Sequence, residues 1–117
     1  MSAGGAANGV ILLQPQEGKK NELEQYLSKN LTDIRENVPG VLIAFHFWAE
    51  EKNQFVVVES FESTAAMFEY GNSMYHEGLV SKVVDLAITP IEALSDQDTS
   101  QELKDFRKTS QAVHFNF

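Results

Sequence analysis

Residues 41–50 read VLIAFHFWAE, a run of strand formers in which apolar and polar side chains do not alternate. Successive side chains on a strand point to opposite faces, so a strand with one wet face alternates in character. Here Leu42, Ala44, His46 and Trp48 share one face, while Val41, Ile43, Phe45 and Phe47 share the other. Residues 54–61, QFVVVESF, repeat the pattern, with Phe55 and Val57 set against Val56 and Val58. Residues 9–15, GVILLQP, do the same with Val10 and Leu12 against Ile11 and Leu13. Any fold for this chain has to cover a sheet on both sides.

The rest of the chain supplies cover for one side. After the first strand, closed by Pro15, residues Leu23, Tyr26, Leu27, Leu31, Ile34 and Val38 recur at helical spacing. Asn21 with Glu24 resembles a capping pair at the start of that helix. The NVPG at 37–40 ends it, because the residue before a proline avoids the helical region. Strands at 41–49 and 54–61 flank a polar EEKN turn and predict a hairpin. Ser63 is a candidate N-cap for a helix through Tyr70, which Gly71-Asn72 interrupts. A second piece from Ser73 presents Leu79, Val80, Val83 and Leu86, and Pro90 precedes a short strand at 91–94.

The order β-α-β-β-α-β over residues 9–94 predicts an α+β protomer with the ferredoxin-like arrangement. Residues 1–8 are small and predict a flexible N-terminus. Residues 95–117 read as an appendage: the acidic linker SDQDTS, a short helix near 101–108 and a strand-like terminal AVHFNF.

Two helices cover one face of a four-stranded sheet. The other face would be an apolar patch well above the roughly 300–600 Å² usual on monomers. The expected remedy is a homodimer in which a second copy packs its sheet face against the first. Folding residues 112–117 back over the sheet is the alternative, but six residues are few for four strands.

Composition narrows the partners. A net charge of −8, with nine Lys and Arg scattered along 117 residues, argues against nucleic acid or an anionic membrane surface. Without cysteine there are no disulfides and no thiolate chemistry. The three histidines lack His-x-x-x-His spacing, and no metal or cofactor is expected. The opening MSAGGAANG has neither the basic nor the apolar region of a signal peptide, and no stretch approaches the ~20 apolar residues of a membrane span. A cytoplasmic location is the expectation.

Residues 9–94 resemble the antibiotic biosynthesis monooxygenase family, through QPQEGKKNELEQYL, ENVPGVLIAFHF and FVVVESFESTAAMFEY. The resemblance implies a dimeric α+β barrel of ferredoxin-like protomers, with the substrate in a cleft between sheet and helices. In the anthrone-type oxygenases, an Asn, a Trp and a Tyr occupy positions that fall here on Val57, Phe61 and Met67. In the haem-degrading relatives, an Asn and a His occupy positions that fall near Ile11 and Val80. The scaffold is therefore similar, but the polar groups of both sites are replaced. Two family positions are matched, by Glu59 on the third strand and by the aromatic Tyr70 on the following helix.

The candidate catalytic residues are His46, His76 and Glu59. His46 shares a strand face with Trp48 and could act as a base near neutral pH, or be a core histidine bonded to backbone. His76 sits at a helix start, where the positive helix end keeps an imidazole neutral. Glu59 is a lone carboxyl on an apolar strand, so it either pairs with a group such as Tyr70 or has a raised pKa. Trp48, Phe61, Phe68, Tyr70 and Tyr75 are candidate substrate-binding aromatics. The resemblance implies a cofactor-independent monooxygenase that oxidises a small aromatic or otherwise oxidisable metabolite with molecular oxygen. An isomerase or lyase on the same scaffold, or a non-catalytic dimeric ligand-binding module, are the alternatives.

Overall fold

The computed structural model of the chain describes residues 6–89, 91–95 and 112–116. Its elements run β1 (Ala7–Leu13), α1 (Lys20–Asn37), β2 (Val41–Ala49), β3 (Gln54–Phe61), α2 (Thr64–Gly71), α3 (Met74–Leu86), β4 (Ile91–Ser95) and β5 (Ala112–Asn116). The sheet order is β2-β3-β1-β4-β5. The first four strands are antiparallel to their neighbours and give the expected ferredoxin-like α+β arrangement, with β5 added parallel to β4.

All three helices lie on one face of the sheet. The helical stripe read from the sequence is the buried one: Leu23, Leu27, Leu31 and Ile34 on α1 are at most 1% exposed. With Leu79, Val83 and Leu86 of α3 they pack on Leu13, Ala44, Phe55, Val57 and Phe61 from the strands. Burying each such side chain stabilises the fold by about 1.5–3 kcal/mol. Arg35 of α1 donates to the backbone carbonyl of Ala44, which ties the helix to edge strand β2. Gly40 enters β2 at φ +82°, and a Cβ there would lie 2.7 Å from that of Ala66.

The opposite face is apolar and uncovered among the described residues. Leu42, Ile43, Phe45 and Phe47 are 58%, 45%, 44% and 49% exposed. The Phe45 and Phe47 rings stack at 6.4 Å. β5 extends the sheet beside β4 instead of folding over this face, so the terminal segment does not supply the cover considered for it.

Three details differ from the sequence reading. The pairing jumps from Val41↔Phe61 to Ile43↔Ser60, a bulge that gives Leu42 no partner. Val41 thereby turns toward the core while Leu42 joins Ile43 on the open face, so strict alternation fails at the start of β2. Helix α1 starts at Lys20, and its N-cap Lys19 makes no side-chain cap bond, so Asn21 lies inside the helix and does not cap it. β1 starts at Ala7, two residues earlier than expected, with Ala7 fully buried opposite Phe61. The helix expected near 101–108 lies outside the described residues.

Candidate functional site

Glu59 occupies the middle of β3 on the helix-covered face, between the smallest cross-strand neighbours available. Its partners are Gly9 on β1 and Ala44 on β2. Side chains opposite one another across a sheet normally fill the space above it. Here Gly9, which has no side chain, borders a gap that helices α2 and α3 span without filling. The result is a cavity of about 100 Å³.

Its wall is almost entirely apolar. Ile11, Val57 and Phe61 come from the sheet, Met67 from α2, and Leu79 and Val83 from α3. Ile91 and Ala93 of β4 close one side. Polar groups enter only through Glu59, Tyr70 and His76 among the described residues.

The break between α2 and α3 aims two of these groups. Ser63 caps α2 by accepting from the Ala66 N–H at 3.1 Å. Ser73 caps α3 by accepting from the His76 N–H at 3.4 Å, and its hydroxyl donates to the Tyr70 carbonyl at 2.6 Å. Asn72 donates its side-chain amide to the Phe68 carbonyl at 3.1 Å. These bonds lock the corner, so the last turn of α2 and the first turn of α3 point Tyr70 and His76 at one another. Their rings meet edge-on with centroids 5.2 Å apart, and Tyr70 also stacks on Phe61 at 5.4 Å.

Burial sets the electrostatics. The Glu59 carboxyl is pushed up to about 7 by desolvation, with the neighbouring Tyr70 hydroxyl pulling the other way. Tyr70 is raised well above its usual value, first by burial and then by the nearby Glu59 charge. Burial lowers His76, opposed by a hydrogen bond to the backbone of Gly71. Glu59 and Tyr70 are close enough to shift one another, yet Glu59 Oε2 and Tyr70 Oη are both buried without a hydrogen bond of good geometry. His76 and Val80 also border a shallow surface groove with Gly71, Ser73 and Glu77, and so stand between cavity and solvent.

Four of the eight candidate site residues line this cavity: Glu59, Phe61, Tyr70 and His76. The other four lie elsewhere. His46 faces α1, with its Nε2 3.9 Å from a Glu24 carboxylate oxygen and its ring edge-on to Phe55. Trp48 donates to Glu50 and carries the Lys20 ammonium 3.9 Å above its ring. Phe68 and Tyr75 pack on the core, and the Tyr75 carbonyl accepts from Asn30 at 3.4 Å. The sequence marks the wall residues Leu79 and Val83 only as an apolar helix face, Ile91 and Ala93 only as part of a short strand, and Gly9 as the start of a strand. Ile11, Val57, Phe61, Met67 and Val80, the residues at or near which the family resemblance set its comparison, all border the cavity.

The sequence profile of the antibiotic biosynthesis monooxygenase family matches residues 9–82. No functionally curated protein matches the chain. Among solved structures, Rv0793 from Mycobacterium tuberculosis is 16% identical with a TM-score of 0.72, covering 81% of this chain and 96% of its own. A Caulobacter crescentus protein named for the same family is 18% identical with a TM-score of 0.74, covering 84% and 93%. MupZ from Pseudomonas fluorescens is 13% identical with a TM-score of 0.71, covering 97% and 90%. At these identities the structural likeness establishes the fold.

Proposed function

The chain belongs to the antibiotic biosynthesis monooxygenase family, and on that premise we propose that it is a monooxygenase that oxidises a small aromatic metabolite with molecular oxygen and no cofactor. The observation that carries this reading is Glu59, a buried carboxyl facing a largely apolar cavity, with one oxygen lacking a hydrogen bond of good geometry. A base works best when its pKa lies near the operating pH, and a carboxyl at about 7 meets that condition.

The chemistry needs little else from the protein. Glu59 takes the proton of a phenolic hydroxyl, and the Tyr70 O–H steadies the oxyanion that forms. The phenolate passes one electron to dioxygen, and the resulting radical pair combines at the para carbon. Glu59 returns its proton to the peroxide, which loses water and leaves a carbonyl. A phenol and one dioxygen become a quinone and one water, so no external reductant enters. His76, held neutral, lies beside Tyr70 at the solvent side of the cavity and shields it.

We assign the active form to a homodimer joined through the open sheet face, supported by the exposure of Leu42, Ile43, Phe45 and Phe47. Among the described residues, no helix is long and apolar enough to cross a membrane.

Oxygen uptake with a panel of phenols and quinols tests the oxygenase. Turnover that falls about 10²–10⁴-fold in Glu59→Gln supports it, and absence of uptake with every member of the panel refutes it. The shared cavity of Glu59 and His76 also favours a second reading, acid–base isomerisation. A substrate consumed as fast under nitrogen as in air would select that alternative.

A further inference from the structure

The cavity has three properties that act together on what can enter. Its volume is about 100 Å³, of the order of the ~150 Å³ apolar cavity that takes up benzene. A single ring matches such a space, whereas three fused rings would extend well beyond it. Among the described residues its wall carries no Lys or Arg, and its one ionisable acid is itself a carboxyl. An anionic substituent would be buried beside Glu59 with no cation to offset it, a cost of several kcal/mol.

The third property is the orphaned pair. Glu59 Oε2 is an acceptor and Tyr70 Oη a donor, both buried, both on residues of the cavity wall, and near enough to influence one another without a hydrogen bond of good geometry. Glu59 is 7% and Tyr70 3% exposed, so bulk water does not satisfy them. A group that donates and accepts at one atom satisfies both at once, and a hydroxyl is such a group. A buried polar site left unpaired discriminates strongly against analogues that lack the matching group.

We infer that the cavity selects an uncharged single-ring arene bearing a hydroxyl, which donates to Glu59 Oε2 and accepts from Tyr70 Oη, and excludes carboxylated and polycyclic relatives. The inference rests on the reading of this cavity as the substrate site, but it concerns binding alone.

Anaerobic titration of the full-length protein, followed calorimetrically at pH 7, separates the two. The probes are p-cresol, toluene, 4-hydroxybenzoate and anthrone. The expected order places p-cresol at least ten-fold tighter than each of the others. Tyr70→Phe should remove the preference for p-cresol over toluene while toluene affinity stays within about two-fold. Equal binding of p-cresol and toluene, or of p-cresol and 4-hydroxybenzoate, overturns the inference. So does tighter binding of anthrone, or no binding of p-cresol. Oxygen uptake in air is read separately with m-cresol, whose para carbon is free to take up oxygen. If the expected binding order is found but m-cresol binds and consumes no oxygen, the ligand class stands and the oxygenase reading fails. Oxygen consumption with anthrone and none with m-cresol gives the reverse.

Discussion

Glu59 and Tyr70 face one another in the protein interior without closing a hydrogen bond: Glu59 Oε2 and Tyr70 Oη are both buried and both unsatisfied. Leaving a buried polar atom unpaired costs about 1–3 kcal/mol. A chain selected for stability alone would rotate the pair together or replace it with apolar groups of the same shape. The pair sits on β3 and α2 beside Gly9, beneath the helix corner, and on the proposed reading this unmatched pairing is where stability gives way to function.

The pH dependence of folding should report this directly. The folded-state pKa of Glu59 is raised from 4.5 to about 7. Below 4.5 the group is protonated in both states, and its full contribution to stability is present. As pH rises the unfolded chain ionises first, so stability falls between about 4.5 and 7 and then levels off. The loss is on the order of 3 kcal/mol. In Glu59→Gln this part of the slope should vanish, leaving the variant more stable than the parent at pH 8. Urea denaturation across that window checks it, and parallel curves for the two proteins would contradict the assignment.

His76 carries the opposite sign. Its folded-state pKa lies below 6.5, so the stability it supports is present above that value and is lost as pH falls beneath it. The imidazole C–H resonances of His76 should titrate at a lower pH than those of a histidine in a denatured chain. A midpoint at or above 6.5 would mean that the ring is less buried than its place between Tyr70 and the surface groove implies.

How much of this could be read in advance follows from the range of each signal. The 41–49 and 54–61 strands and the break at Gly71-Asn72 were legible because period and punctuation are local. The bulge at Val41/Ile43 was not, since it depends on how β2 meets β3 and no residue there demands it. His46 looked like Glu59, a polar group on an apolar strand, and only tertiary packing separates them. One faces Glu24 of α1 and the other a void. The void itself is a sum of small residues on different strands, and no linear pattern contains it.

The open sheet face predicts a change of assembly. Phe45 and Phe47 project from β2 into solvent in an isolated chain, and placing a charge there would bury it against a second copy. Phe45→Asp should convert a dimer to a monomer at micromolar concentration, read by light scattering, while α1 and its core contacts remain. A parent protein that is already monomeric at that concentration would remove the dimer from the proposal without touching the cavity.

The cavity makes the sharpest distinction between stability and function. Ala93 sits on β4 at 8% exposure, opposite Ile11 and on the cavity wall. Ala93→Phe pushes a ring into the space a substrate would occupy. Overpacking a well-filled core costs typically 1–3 kcal/mol, but here the ring enters a void, so the stability change should be at the low end or favourable. Oxygen uptake should nonetheless fall more than ten-fold. Leu27→Ala, on the buried stripe of α1 and away from the cavity wall, is the counterpart. It should cost about 2–5 kcal/mol of stability while each folded molecule keeps its activity. Thermal denaturation and oxygen-electrode rates on both variants complete the comparison. If Ala93→Phe turns over at the parent rate, the reaction does not take place in this cavity.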